Sequence, residues 1–200
     1  LNPDTVEIRD MGEQFSKSLQ GQAVRAIIIS FVLMAIVVFI IFRTFVPSVA
    51  VLISAFADIA FAAAMMDVFG IALTLGTVAA LLMLIGYSVD TNILLATRLL
   101  KRKGELNEKI KGAMQTGLTM TTTTLAALTA LFFVSSGSYL IPSFPRIDII
   151  RDISVVLIFG MIADLINTWM TNVGILRWYI ERKEQAQKPA VKPKKKGQRA

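Results

Sequence analysis

Long runs of uncharged, apolar residues constrain the fold of this chain more than any other feature of its sequence. The runs are about 17 to 25 residues long, the length that an α-helix needs to cross a hydrocarbon core of about 30 Å. Hydrophobic residues make up 54% of the 200 residues, more than is usual in soluble domains. The sequence therefore predicts an all-α fold, a polytopic transmembrane helix bundle.

The hydropathy pattern divides the chain into three parts. Residues 1–21 are polar and acidic at their start, and we interpret them as the end of an external domain. Residues 22–182 form the predicted bundle, and residues 183–200 form a basic tail that lacks apolar periodicity and is expected to be disordered. Five spans are predicted, at residues 25–43, 47–66, 74–99, 114–134 and 152–176.

Basic residues concentrate in the connection at 101–111 and in the C-terminal tail. The positive-inside rule places both on the cytoplasmic side of the cell membrane and the N-terminal segment outside. An external start and an odd number of spans predict a sixth span and an external domain upstream. The net charge of +7 then follows from topology and requires no specific nucleic-acid partner. The tail is interpreted as a solvated segment that only fixes topology, with contact to anionic lipid headgroups or to ribosomal RNA as the alternatives.

Polar side chains fall at one predicted depth in four consecutive spans. At a rise of about 1.5 Å per residue, Asp58 lies about 16 Å beyond Pro47, and Asp90 lies about 16 Å before Lys101. The last span carries four polar residues on one helical face by i, i+3, i+4, i+7 spacing: Asp164, Asn167, Thr168 and Thr171. The fourth span carries a threonine run, Thr119 and Thr121 to Thr124.

A carboxylate at this depth indicates function, because an ionised side chain in hydrocarbon costs at least about 2.5–3.5 kcal/mol. Without histidine, or lysine and arginine at that depth, these carboxyl groups cannot all be ionised cheaply, and at least one is expected to carry a proton. Asp58 and Asp90 are therefore predicted to be proton-coupling residues. The supporting polar layer is predicted to comprise Thr91, Asn92, Thr121, Thr122, Asp164, Asn167 and Thr168.

A structural alternative stands beside this interpretation, since polar residues also hold membrane helices together by hydrogen bonds. Arg98, near the cytoplasmic end of its span, is interpreted as a topology anchor or as an ion-pair partner. The sequence has no cysteine and no histidine, which excludes disulfides, thiolate metal sites and histidine general bases. No nucleotide loop or catalytic triad is found, so we expect neither enzymatic activity, nor a metal, nor a cofactor.

Three segments carry a specific pattern: Ala57-Asp58-Ile59, the string Thr74-Leu-Gly-Thr-Val-Ala-Ala-Leu-Leu-Met-Leu-Ile-Gly-Tyr-Ser-Val-Asp90, and Gln115-Thr-Gly-Leu-Thr-Met-Thr-Thr-Thr-Thr-Leu125. They resemble the SecF family of protein-export membrane proteins, in its archaeal form, within the larger resistance-nodulation-division (RND) superfamily. The resemblance implies six spans with an external domain between the first two. It also implies that a SecD-like subunit and the SecY translocon are partners, and that the proton-motive force assists polypeptide translocation.

The chain departs from the bacterial pattern of this family at two acidic positions. Bacterial relatives usually have Asn-Asp where this chain has Asp90-Thr91, and a small uncharged residue in place of Asp164. Two alternatives to proton-coupled protein export stay open at this point. One is an RND-type exporter of lipid or small hydrophobic substrates. The other is a passive scaffold of the translocon, in which replacing Asp58 or Asp90 by asparagine would be harmless.

Overall fold

A computed structural model of the chain describes residues 3–101, 104–137 and 147–187, and every regular element in these ranges is helical. The helices are α1 (Pro3–Phe42), α2 (Phe45–Val68), α3 (Leu75–Lys101), α4 (Leu106–Ser135), α5 (Asp148–Ile166) and α6 (Val173–Gln187). A π-helical segment, Asn167–Asn172, joins α5 to α6 while the backbone stays in the helical region. The all-α prediction is confirmed.

Four stretches of the described chain are long and apolar enough to cross a membrane: Lys17–Phe42, Phe45–Val68, Leu75–Lys101 and Leu106–Ser135. Each overlaps one of the first four predicted spans, but the first and fourth begin at Lys17 and Leu106, earlier than the predicted residues 25 and 114. The fifth predicted span corresponds to α5, the π segment and the start of α6. Its first helix is less apolar because it contains the charged residues Asp148, Arg151, Asp152 and Asp164. The chain is therefore a multi-pass membrane protein.

Two further differences lie at the ends of the chain. Helix α1 begins at Pro3, so the segment before the first span and the span itself form one continuous helix. Helix α6 continues to Gln187, past the predicted start of the tail at residue 183. The remainder of the predicted tail, residues 188–200, lies outside the described residues, as does most of the connection before α5.

The turn between α2 and α3 is specified by local sequence. Gly70 adopts a positive φ of 64°, and the N–H group of Ile71 bonds to the Met66 carbonyl at 2.8 Å, which caps the end of α2. Thr74 and Thr77 then cap the start of α3 reciprocally, since each backbone N–H donates to the other side-chain oxygen. These caps fix where α3 begins and hence the depth of its polar residues.

Helix α5 occupies the middle of the bundle and packs against α2, α3 and α4, whereas α1 lies at the edge against α2 and α3. A Cβ atom at Gly160 would lie 2.3 Å from Leu84 Cδ2, so only glycine lets α5 approach α3 this closely. The contact lies one turn before Asp164. It brings the polar residues of α5 and the π segment against those of α2 and α3.

Candidate functional site

Asp58 is fully buried and is held by hydrogen bonds from two other elements of the bundle. Ser88 Oγ of α3 donates to Asp58 Oδ2 at 2.6 Å, and Asn167 Nδ2 of the π segment donates to Asp58 Oδ1 at 2.7 Å. Both carboxyl oxygens therefore accept a hydrogen bond. Asp58 joins α2 to α3 and to the π segment at a single point.

Asp164 of α5 is the second buried carboxyl group, with 1% of its surface exposed. Thr168 Oγ1 lies 3.2 Å from Asp164 Oδ1. The carboxyl groups of Asp58 and Asp164 are close enough to interact directly, and Ser88 lies beside both of them. Two acidic groups from different helices thus share one buried position.

Buried amides extend this site along α3 and the π segment. Asn92 Nδ2 donates to the Ser88 carbonyl at 2.8 Å, which fixes the orientation of the Asn92 amide. Asn92 Oδ1 faces the π segment, where it accepts from Asn172 Nδ2 and lies 3.2 Å from Thr168 Oγ1. We call the connected set the Asp58–Asp164 network; its members are Asp58, Ser88, Asn92, Asp164, Asn167, Thr168 and Asn172.

No basic side chain enters this network in the part of the chain that the structure describes. Arg151 pairs with Asp148 and Asp152, and Arg177 pairs with Glu181. In a poorly solvated interior, two adjacent carboxylates repel each other and neither is offset by a cation. Binding of a proton to either carboxyl group removes this repulsion. No described group of three or more His, Cys, Asp or Glu side chains could hold a metal ion.

Asp90 of α3 lies at the same depth as Asp58 of α2. It lies, however, on a different face of α3 from Ser88, the residue that bonds to Asp58. Ser88, which bonds to Asp58, precedes Asp90 by two residues, or about 3 Å of rise and about 200° of rotation. Asp90 is exposed on the surface of the bundle. Its carboxyl group makes no hydrogen bond or ion pair with the described residues. The predicted common depth is consistent with the structure, but Asp58 and Asp90 do not form one cluster.

The predicted supporting residues separate into two groups. Asn92, Asp164, Asn167 and Thr168 belong to the network. The hydroxyl groups of Thr91 and Thr122 instead bond to their own helix, at the carbonyls of Tyr87 and Leu118, and Thr121 is buried without joining the network.

Most of the threonine run is exposed, and its hydroxyls donate to carbonyls three or four residues back. These hydroxyl groups already have hydrogen-bond acceptors within α4, so the surface that packs on this part of α4 need not supply polar groups.

Arg98 serves a third role that neither interpretation of the sequence anticipated. Its guanidinium Nη1 donates to the Gly112 carbonyl at 2.6 Å and ties the end of α3 to the start of α4. Arg98 makes no ion pair with the described residues.

Two members of the network, Ser88 and Asn172, were not among the predicted site residues. Thr171 was predicted to share the face of Asp164 but is exposed, whereas Asn172 is buried. The reason is the π segment, which takes about one more residue per turn than an α-helix, rotates Thr171 away from the face of Thr168 and leaves Asn172 on it. The polar spacing of Asn167, Thr168 and Asn172 was the available signal.

The chain is thus a multi-pass membrane protein whose buried polar layer contains paired carboxyl groups. The model of the family "Protein export membrane protein SecD/SecF, C-terminal" matches residues 2–182. The chain therefore belongs to the SecD/SecF protein-export family. No solved structure matches the chain.

Several curated relatives carry the name protein-export membrane protein SecF. The one from Methanolacinia petrolearia is 58% identical over 180 residues, covering 90% of this chain and 61% of the relative. The one from Pyrococcus furiosus is 48% identical over 185 residues, covering 92% of this chain and 58% of the relative. That from Thermococcus gammatolerans is 50% identical over 167 residues, covering 83% and 50% respectively. The chain thus spans about half to three-fifths of the length of these relatives.

Proposed function

We propose that this chain is the membrane bundle of a SecF-like subunit, which acts with a SecD-like subunit to assist polypeptide translocation through the SecY translocon. The energy source is the proton-motive force, and neither a bound cofactor nor enzymatic bond-making is involved. The main observation that supports this proposal is the Asp58–Asp164 pair, two buried carboxyl groups without a basic partner in the described chain. The process is inferred from the relatives, which are named for protein export.

In this proposal the Asp58–Asp164 pair takes up a proton from one side of the membrane and releases it to the other. The network joins α2, α3 and the π segment, so a change of proton occupancy changes hydrogen bonds on three elements at once. Proton passage then biases the bundle between two packings. A domain outside the membrane would convert that change into work on the translocating polypeptide.

Asp90 is the second proposed proton-coupling residue, and it acts at the interface with the SecD-like subunit. The exposed stripe of α3 that carries it consists of Leu75, Ala79, Met83, Gly86 and Asp90. A carboxylate on such a stripe is costly against lipid, and small residues such as Ala79 and Gly86 favour close helix packing. A partner helix that offers a hydrogen-bond donor or a cation at this depth would remove the cost.

The proposed orientation follows the distribution of basic residues. The basic segment at 101–111, which includes the start of α4, and the C-terminus face the cytoplasm, and the N-terminal segment faces the outside of the cell membrane. Membrane lipids surround the exposed apolar surface of α1, which includes Ile28, Val32 and Ile36.

The experiment compares two aspartates of α2 in cells that depend on the full-length protein. Asp58→Asn keeps the hydrogen-bonding capacity but abolishes titration, whereas Asp67→Asn makes the same change at an exposed position on the same helix. Export of a reporter protein is measured, and co-purification with the SecD-like subunit verifies assembly. We expect Asp58→Asn to lower export by at least about tenfold with normal assembly, and Asp67→Asn to leave it unchanged. Normal export with Asp58→Asn would favour the passive scaffold.

A further inference from the structure

The hydroxyl group of Thr168 stands between two acceptors that compete for its single hydrogen. Thr168 Oγ1 lies 3.2 Å from Asn92 Oδ1 and 3.2 Å from Asp164 Oδ1. Asn92 cannot reverse its amide without losing the bond from its Nδ2 to the Ser88 carbonyl, so its oxygen can only accept. Thr168 must therefore donate if its contact with Asn92 is to be a hydrogen bond.

The two contacts can both be hydrogen bonds in one protonation state only. When Asp164 carries a proton on Oδ1, it donates to Thr168, and Thr168 donates to Asn92. When Asp164 is ionised, its oxygen accepts only, and the hydrogen of Thr168 goes to one of the two acceptors. The charged acceptor forms the stronger bond. Loss of the proton from Asp164 thus breaks the bond between Thr168 and Asn92.

The bond between Thr168 and Asn92 bears directly on the π segment. Thr168 and Asn172 both belong to this segment, and both contact the same oxygen, Asn92 Oδ1. Two polar atoms of the segment, Asn172 Oδ1 and Trp169 Nε1, are buried and have no hydrogen-bond partner among the described residues. The segment is therefore held from α3 mainly through Asn92, and its own polar groups are incompletely satisfied.

A π turn is rare, and its conversion to an α turn changes the number of residues per turn. Such a conversion rotates the residues that follow, including all of α6, relative to α5. Trp169 would move with it; its ring packs so closely on Gly117 that a Cβ there would lie 2.4 Å from Trp169 Cζ2. The π segment therefore connects the Asp58–Asp164 network to α4 as well as to α6.

We propose that Thr168 couples the protonation state of Asp164 to the helical register of the π segment Asn167–Asn172. The inference rests on the proposed function and adds the residues through which a bound proton acts on the bundle. The titratable group of the described chain that contacts Asp164 is Asp58 on α2. Helix α3 presents Ser88 and Asn92 to the site, and Asp90 lies on the opposite side of that helix. Thr168 is a positioning residue in this scheme.

The test uses the full-length protein with its partner subunit in liposomes and follows two signals during a pH titration. Infrared difference spectroscopy reports protonation of buried carboxyl groups. The fluorescence of Trp169 reports the π segment, in a background where Trp178 and any other tryptophan are replaced by phenylalanine. The variants are Thr168→Val, which removes the hydroxyl at nearly constant shape, Thr168→Ser, which retains it, and Asp164→Asn.

We expect both signals to change together in the parent protein and in Thr168→Ser. In Thr168→Val the carboxyl signal should persist while the change in Trp169 fluorescence is lost, and in Asp164→Asn the fluorescence should not respond to pH. A fluorescence change that persists undiminished in Thr168→Val would overturn the coupling role of Thr168 and leave the proton site intact. If no buried carboxyl group titrates in the parent protein, the proposed proton site itself fails.

Discussion

Asp58 and Asp90 lie at matching levels on neighbouring membrane helices, yet their surroundings differ in every respect. Asp58 is fully buried and accepts hydrogen bonds from Ser88 and Asn167. Asp90 is exposed and has no polar partner in the described chain. Depth in the membrane and rotation about the helix axis are therefore separate properties of a residue. One carboxyl group has its site within this chain, and we propose that the other has its site only when a partner subunit is bound.

The interior site depends on close contact between α3 and α5, and the largest expected effect comes from breaking that contact. In Gly160→Val the added Cβ alone would lie 2.3 Å from Leu84 Cδ2, and overpacking of this kind costs about 1–3 kcal/mol or more. We expect most of the protein to be lost as aggregate, measured by size-exclusion chromatography in detergent. Gly174→Val is the control, because nothing lies within 4 Å of that position. Equal yields of the two variants would contradict the packing described.

A change on the Asp90 face should instead weaken assembly with the partner subunit and leave the fold of the chain intact. In Asp90→Leu the isolated protein no longer exposes a carboxylate, which removes a cost of about 2.5–3.5 kcal/mol against lipid. We expect unchanged or higher thermal stability of the protein alone and a large loss of co-purified SecD-like subunit. Met83→Leu, on the same exposed stripe, is the control for apolar change. Undiminished co-purification with Asp90→Leu would exclude this face as the interface.

The sequence predicted the spans and the depth of the carboxyl groups because both depend on local properties. Hydropathy and charge locate the helices, and the helix rise then gives the depth of Asp58, Asp90 and Asp164. Rotation about the helix axis is set by neighbouring helices, so the sequence could not tell that Ser88 and not Asp90 meets Asp58. The π segment could not be predicted from the sequence pattern either. Without it, regular α-helical spacing selected Thr171, which is exposed, instead of Asn172.

Two threonine variants compare the interior with the surface, and the expected changes in stability are smaller than those above. Thr168→Val removes a hydroxyl that lies between Asn92 and Asp164, and we expect a loss of about 1 kcal/mol of stability. Thr122→Val removes an exposed hydroxyl that bonds only to the Leu118 carbonyl, and we expect a change within about 0.5 kcal/mol. Thermal unfolding in detergent measures both. A larger effect from Thr122→Val would assign the threonine run a structural role that its contacts do not indicate.

The proton-coupling role of the Asp58–Asp164 pair is tested by a pH titration of buried carboxyl groups with infrared spectroscopy, on the full-length protein alone and in complex with the SecD-like subunit. If the Asp58–Asp164 pair is complete within this chain, Asp58→Asn should alter the carboxyl signal in both preparations. Asp90→Asn should alter it in the complex only. An unchanged signal in Asp58→Asn, with and without the partner, would contradict this role and leave the buried pair as a structural contact.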